Sequence, residues 1–412
     1  MLQRTAVGDC VAYALAHQPS VRQSQLDEEI TDHAISGKMA EWFPQLSFNA
    51  YVQHNPQLPV SIVQGNIAKV GLANASNGQF SLTQTIFDRD VLLASSSAAD
   101  ERNRARQTTA RNKINVVIAV SKAYYAVLVT QRQIGILDED IVRLERSLKD
   151  ALAQYQGGIV DKTDYKRATI ALNNARADKR MAQELLTARV ASLKDQMGYP
   201  SHAELVLDSD STQMEQDAFI DTMQTISVES RIEFQLLQTQ KRLQEDNLNY
   251  ARWSFLPSVT AYGNYNLNFQ SSELSQLYQR NYPNSSVGLQ LSFPIFESGK
   301  RIQEIKQAQL ELERVDYDVI ALRNSVNTEY AQALANYRSN LNNYHVLQEN
   351  LNLAQDVFQT IQLQYKAGVK TYLDLIAAET DLRSAQDNHI DALYQVLSSK
   401  LDVEKALGTV HY

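Results

Sequence analysis

The chain has 412 residues, of which only 14 are glycine and 8 are proline. Both residues occur at about half the average frequency or less, so breaks between elements are few and the elements must be long. The formal net charge of −8 argues against a nucleic-acid binder, and the single cysteine, Cys10, excludes an internal disulfide.

The beginning of the chain lacks the pattern of a signal peptide. Met1 and Leu2 lead almost directly into an amphipathic pattern, without a basic start followed by an apolar run. No uninterrupted run of about 18 apolar residues occurs, so no transmembrane helix is expected. These features alone fit either a cytosolic protein or the mature form of an exported one.

In chain order, the first half reads as helix, strand, strand and two long helices. The first helix is predicted from about Asp9 to Glu41, and Pro44 ends it. Strands follow at 46–53 and 80–86. The next helix, from about Asp90 to Tyr155, would be roughly 100 Å long at about 1.5 Å per residue.

The second half repeats this order. Its helix is predicted from about Gln216 to Ser254, its strands at 258–269 and 287–295, and its long helix from about Gly299 to Tyr365. Matched motifs lie about 210 residues apart. They are Phe43-Pro44 with Leu256-Pro257, Ile86-Phe87-Asp88 with Ile295-Phe296-Glu297, Tyr155 and Gly158 with Tyr365 and Gly368, Asp164 with Asp374, and Gly198 with Gly408. We therefore predict two repeats, 1–198 and 214–412, joined by a linker at 199–213.

Each of the four strands has one apolar face, although Gln84 interrupts that of the second strand. In the third strand, Val259, Ala261 and Leu267 alternate with Thr260 and Asn266. Segments of about 10 residues with this alternation are typical of strands that cross a bilayer at a tilt, although strands of a soluble sheet alternate in the same way.

The long helices carry a coiled-coil seam. In the second repeat the spacing of apolar residues from Ile305 to Val326 alternates between three and four. The first repeat does nearly the same from Val117 to Tyr155, with one irregular step at Gln131–Ile134–Leu137, which indicates a stammer.

A four-stranded sheet in lipid would leave two unpaired edges. Each unsatisfied amide there costs several kcal/mol, so the sheet must close by association of several copies. Two copies would give eight strands and three would give twelve, and the pattern does not choose between them.

The duplicated order, the proline-led strands and the two Tyr-x-x-Gly-hydrophobic turns resemble the TolC family of outer-membrane efflux proteins, over Asp9 to Gly408. The resemblance implies a mainly α fold with β-strands. It implies a homotrimer whose long hairpins form a periplasmic α-barrel and whose four strands per chain complete a transmembrane β-barrel. It also implies an outer-membrane exit duct that works with a periplasmic adaptor and an inner-membrane pump.

The resemblance assigns roles to the two turns between long helices. Gly158 and Gly368 follow the last seam tyrosines and would end their helices in a left-handed conformation. By resemblance, these glycines and Ile159 and Val369 would line the periplasmic mouth and meet the adaptor.

By the same resemblance, a gate would be formed near the turns by Thr163, Asp164, Tyr365 and Lys370. Lysine here replaces the arginine of the best-known member, which loses a bidentate contact. Asp374 would form an acidic ring at the mouth, whereas Ala377 stands where that member has a second acidic residue. Each charge could instead lie on a solvated face or favour a helix N-terminus.

Aromatic residues flank the helix–strand junctions. In a membrane barrel this level is the inner bilayer interface, where aromatic girdles form, although packing of a helix–sheet joint would also use such residues. The set is Trp42, Phe43, Phe87, Trp253, Phe255 and Phe296.

Catalytic motifs are missing from the sequence. The histidines show no metal-ligand spacing and no phosphate-binding loop occurs, so no enzyme activity, cofactor or metal is expected. The alternative to a channel is a soluble coiled-coil scaffold, which explains the seams but not four alternating segments placed symmetrically in a duplication.

Overall fold

The computed structural model describes residues 5–63, 65–158, 161–208, 211–221, 224 and 226–412. The helices of these ranges are α1 (Val7–His17), α2 (Pro19–Ala40), α3 (Arg89–Gln156), α4 (Lys162–Met197), α5 (Ser211–Asp217), α6 (Ile232–Trp253), α7 (Lys300–Lys366) and α8 (Tyr372–Leu407). The strands are β1 (Gln45–His54), β2 (Val60–Val63), β3 (Asn66–Lys69), β4 (Asn74–Phe87), β5 (Ser258–Ser271) and β6 (Asn284–Ser292).

The chain forms two compact units. We call the first the helical unit; it comprises Met1–Leu26, Arg106–Leu236 and Val319–Tyr412. The second, the sheet unit, comprises Asp27–Ala105 and Leu237–Asp318. Each sequence repeat contributes to both units, so the units do not coincide with the repeats.

The long helices confirm the seam pattern. Helices α3 and α7 begin and end within one or two residues of their predicted bounds. Along α7, Ala308, Val315 and Val326 are buried, and along α3, Val120 and Val127 are fully buried. The three-four spacing therefore marks the packed side of each helix, as expected for knobs-into-holes packing.

The first predicted helix is wrong in its continuity, because the structure divides 9–41 into α1 and α2. Gln18 ends α1 with an extended backbone, φ −63° and ψ 123°. Pro19 causes this break, since the ring of a proline disfavours helical backbone at the preceding residue.

The corresponding helix of the second repeat is also shorter than predicted. The structure has α5 and α6 in place of one helix over 216–254, and Arg231 is extended just before α6. The residues between the two helices include Ile220, Asp221 and Ser227. Branched side chains and side chains that bond to nearby backbone both weaken a helix, which accounts for the gap.

The core of the helical unit packs α3, α4 and α8 with α1. Val120, Val127, Leu193 and Val396 are among its fully buried or nearly fully buried side chains. Helix α3 also contains a window that is long and apolar enough to cross a membrane by length and composition. However, 56% of that window is buried inside the chain. Burial of this extent identifies the window as part of the core.

The sheet unit holds a four-stranded antiparallel sheet in the order β1-β4-β5-β6. Strands β2 and β3 form a separate hairpin that the sequence pattern did not predict. The predicted fourth strand is displaced, because β6 ends at Ser292 and leaves Phe293 and Ile295 outside it. Pro294 explains the earlier end, since proline cannot donate a hydrogen bond to a sheet.

Candidate functional site

The pairing register places the apolar side chains of all four strands on one face of the sheet. Leu46 pairs with Leu82, and Phe48 with Phe80. Phe80 in turn pairs with Tyr265, and Tyr265 pairs with Ser285. The exposed apolar residues of this face are Leu46, Phe48, Val52, Phe80, Leu82, Val287, Leu289 and Leu291. A continuous exposed apolar face of this extent requires a covering of lipid or protein.

The opposite face of the sheet is polar and hydrogen-bonded across strands. Three side-chain bonds join neighbouring strands, each 2.7 Å long: Asn77 to Asn268, Ser81 to Asn264, and Asn266 to Asn284. A strand that faces lipid on one side and water on the other has this division. For β5 and β6, the residues that the sequence pattern assigns to the apolar and polar faces are the residues that the pairing register places there.

The two edge strands of the sheet each pair with one neighbour within the chain, β1 with β4 and β6 with β5. Their outer backbone groups are therefore directed away from the sheet. In an apolar medium such groups must find partners.

The junction aromatics stand largely at the surface of the chain. Phe296 is 84% exposed and Phe43 66% exposed. Phe255, half exposed, has the guanidinium of Arg301 at 5.1 Å from its ring centroid, and Arg301 also bonds to Glu297 at 2.9 Å. Trp42 is exposed as well, whereas Phe87 and Trp253 are half-buried.

The two interhelical turns have the predicted glycine geometry. Gly158 has φ +71° and Gly368 has φ +74°, the left-handed conformation that glycine adopts without strain. After α7, the amide of Val369 donates to the carbonyl of Gln364 at 2.9 Å, which closes a Schellman-type cap. Val369 is 73% exposed. Ile159 lies outside the described residues.

The first predicted gate residues lie in the opening turn of α4. Asp161 is the N-cap of this helix, and its carboxylate accepts a bond of 3.0 Å from the amide of Thr163. Asp164 is half-buried in the same turn. Sequence reasoning missed Asp161, although Asp is one of the preferred residues immediately before the start of a helix.

Tyr365 and Tyr372 bring the second turn close to the first helical hairpin. Tyr365 donates to Gln154 Oε1 of α3 at 3.3 Å, and the two tyrosine rings lie 5.9 Å apart. Burial raises the pKa of both phenols, and the charge of Asp164 adds to the effect. Asp164 thus lies within electrostatic reach of both phenols of the same chain.

Lys370 and Asp374 interact with each other within the chain. Their Nζ and Oδ1 atoms are 3.9 Å apart. Asp374 also forms a capping box at the start of α8, because its carboxylate accepts from Thr371 while its own amide donates to the Thr371 hydroxyl. These bonds with Thr371, followed by the charge of Lys370, lower the pKa of Asp374. Asp374 therefore caps the N-terminus of α8.

A buried charged cluster joins the two helical hairpins, α3–α4 and α7–α8, and the sequence reading missed it. Arg143 on α3 contacts Asp140 on the same helix and Glu379 on α8. Arg383 on α8 lies 3.5 Å from Asp178 on α4. Only the helical register of α8, which sets Glu379 one turn from buried Leu375 and Leu382, could have revealed the burial of this glutamate.

A family model described as "Outer membrane efflux protein" matches residues 11–199 and 228–409, so the chain belongs to the outer membrane efflux protein family. It is 20% identical to outer membrane protein TolC of Vibrio cholerae, over 96% of this chain and 89% of that protein. It is 22% identical to TolC of Escherichia coli, over 95% of this chain and 80% of that protein.

The fold is shared with solved outer-membrane channels. A crystal structure of CusC superimposes with a TM-score of 0.79 at 17% identity, covering 98% of this chain and 95% of that one. The fold is thus the duplicated one of this family, with long hairpins for an α-barrel and four strands per chain for a β-barrel. Family membership confirms an outer-membrane efflux channel and sets aside the soluble scaffold.

Proposed function

We propose that three copies of this chain close into one gated channel that conducts small molecules or ions from the periplasm to the exterior. The observation that carries the proposal is the four-stranded sheet, with one apolar face, one polar face and two outward edges. Three copies would supply the twelve strands of the family's barrel. The polar face would line water and the apolar face would contact lipid. No catalytic step is assigned to the chain.

The helical turns are proposed as the docking site of a periplasmic adaptor that connects the channel to an inner-membrane pump. Val369 is exposed at its turn, and the left-handed glycines Gly158 and Gly368 fix the path of both turns. Thr163, Asp164, Tyr365, Lys370 and Asp374 lie beside the turns and are proposed as the gate. The exposed junction aromatics are proposed as the inner interfacial girdle of the barrel.

Two measurements on the full chain in detergent test the channel separately from its assembly. Native mass spectrometry should give three chains per particle, and planar bilayers should show discrete conductance steps. A stable monomer with its strands intact would contradict closure by association. A trimer that inserts but never conducts would contradict the duct while leaving the assembly in place.

A further inference from the structure

The four strands of the antiparallel sheet carry no formal charge. None of the residues of β1, β4, β5 and β6 is Asp, Glu, Lys or Arg, although these types make up 21% of the chain. Over 45–87 and 258–296, which contain the sheet and its connecting segments, the charged residues are Lys69, Glu273 and Arg280. This part of the chain is therefore slightly basic, whereas the whole chain has a net charge of −8.

These three charges lie in the connections at the end of the sheet away from the helix–strand junctions. Strands β1 and β5 start from a helix junction, and β4 and β6 return towards one, so the β1–β4 and β5–β6 connections share the far end. At this end His54 pairs with Asn74, and Asn74 pairs with Ser271. In an outer-membrane channel with periplasmic helices, this end of the barrel is the exit.

The strand register continues beyond β6 and places Arg280 on the polar side of the sheet. Phe269 of the apolar face forms a bridge with Asn281, and the amide of Tyr282 donates to the carbonyl of Asn268 at 2.7 Å. Because successive side chains of extended backbone point to opposite faces, Arg280 and Tyr282 lie on the face opposite to Asn281. The guanidinium carbon of Arg280 lies 5.2 Å from the centroid of the Tyr282 ring, as expected for two side chains on one side.

The charge of Arg280 is not neutralised within the chain. Arg280 is exposed and forms no ion pair with any residue that the structure describes. Glu273, the acidic residue of the same connection, instead accepts a hydrogen bond of 2.7 Å from Gln276. A free guanidinium presents a planar set of donors that matches carboxylates and phosphates, and rings of arginine or lysine in pores favour anions.

We propose that Arg280 determines the charge preference of the channel at its exit, where it favours anionic solutes such as carboxylates and phosphates. The inference rests on the proposed closure of three sheets with their polar faces inward, which would place three copies of Arg280 in a ring. The strands below this ring offer amides and hydroxyls but no charge, so the potential at the exit takes the sign of Arg280.

Reversal potentials of single channels in planar bilayers, measured in a KCl gradient, test the role of Arg280. We expect Arg280→Gln to lower the chloride-to-potassium permeability ratio roughly twofold near 0.1 M salt, with Arg280→Glu lower still and Arg280→Lys unchanged. The differences should shrink near 1 M salt, where the Debye length falls from about 10 Å to about 3 Å. The control Arg180→Gln, which removes a 75% exposed arginine of α4, should leave the ratio unchanged.

A charged thiol reagent tests whether Arg280 faces the lumen. Cys10 is the only cysteine of the chain and is fully buried, so in Arg280→Cys a methanethiosulfonate reagent added on the exit side should react only at position 280. The ammonium reagent should raise the chloride-to-potassium ratio back towards the wild-type value. The sulfonate reagent should lower it below that of the unmodified variant, and neither should affect the wild type.

Two results separate this inference from the proposed duct. An unchanged permeability ratio in Arg280→Gln and Arg280→Glu, in channels that conduct, would overturn the role of Arg280 and leave the duct in place. A wild type that never conducts would contradict the duct itself and, with it, the lumen that Arg280 is proposed to face.

Discussion

Arg143 and Glu379 connect the two helical hairpins through the interior of the helical unit, with Nε of Arg143 3.6 Å from Oε1 of Glu379. The side chain of Glu379 is only 6% exposed, and neither of its oxygens has a hydrogen-bond partner among the described residues. Burial therefore raises the pKa of Glu379, and the charges of Arg143 and Arg383 only partly oppose this. At this distance the attraction between the two charges does not offset the free-energy cost of removing the glutamate carboxylate from water.

The raised pKa of Glu379 predicts a loss of stability at higher pH. The folded chain holds this proton more tightly than the unfolded chain does, so the stabilising contribution is complete below the ordinary glutamate pKa of about 4.3. It is lost as the pH rises through the raised pKa of the folded state. Glu379→Gln should therefore gain stability relative to the wild type as the pH increases, measured by denaturant unfolding of the detergent-solubilised protein.

Glu145→Gln is the control for this titration. Glu145 also pairs with an arginine, Arg176, but its side chain is 49% exposed. An exposed pair contributes little, so the difference between this variant and the wild type should stay nearly constant with pH. A flat difference for Glu379→Gln as well would contradict the raised pKa.

The glycines of the two turns should resist substitution in a way that a glycine inside a helix does not. Gly158→Ala and Gly368→Ala place a Cβ on left-handed backbone, which should cost about 1–2 kcal/mol in the free energy of unfolding. At both positions the Cβ would meet no atom within 4 Å, so the cost would come from backbone strain and not from a clash. Chemical denaturation of the two variants measures it.

Gly37→Ala is the matched control, because Gly37 lies inside α2 and a Cβ there also meets no atom within 4 Å. Alanine in a helix interior should stabilise by about 0.5–1 kcal/mol. The two kinds of variant should thus move in opposite directions. A shift of the same sign at all three glycines would contradict the capping role of the turns.

The two faces of the sheet should tolerate charge differently. Leu289 is 74% exposed on the apolar face, whereas Gln290 follows it on the polar face. If the apolar face contacts lipid, Leu289→Lys should cost about 2–4 kcal/mol near the bilayer midplane, and Gln290→Lys should cost little. Folding into lipid vesicles at increasing urea gives both values, and equal costs would contradict a membrane-spanning sheet.

The parts of the fold that the sequence predicted are those governed by a sustained period. The bounds of α3 and α7 and the faces of β5 follow from many residues that repeat one spacing, so a single exception such as Gln131 does not obscure them. The break at Pro19 was missed because the apolar pattern continues across it. The hairpin β2–β3 was missed because each strand is only four residues long.

The candidate site likewise has residues that the sequence predicted and residues that it did not. Glycine turns are local, so Gly158 and Gly368 could be located from a few neighbouring residues. The pairing of Arg143 with Glu379 joins positions more than 200 residues apart, and no local pattern predicts that these two charges meet.

The proposed gate requires an interaction that one chain does not supply by itself. Lys370 lies beside Asp374 within the chain, while Asp164 lies near Tyr365 and Tyr372. In a closed trimer, Lys370 of one copy would therefore have to form an ion pair with Asp164 of a neighbouring copy. It would either give up its contact with Asp374 of its own chain or contact both carboxylates at once. An equilibrium of this kind is shifted by removing the groups that favour the closed arrangement.

Removing both charges should open the mouth without unfolding the channel. We expect Asp164→Ala with Lys370→Ala to increase single-channel conductance in planar bilayers while the melting temperature changes little, because partly exposed charges contribute little to folding. The control is Arg180→Ala with Glu184→Ala, which removes an exposed pair 2.8 Å apart on α4. This control should conduct as the wild type does. Wild-type conductance in a correctly assembled Asp164/Lys370 variant would show that these two residues are solvated charges and that the mouth is closed by other contacts.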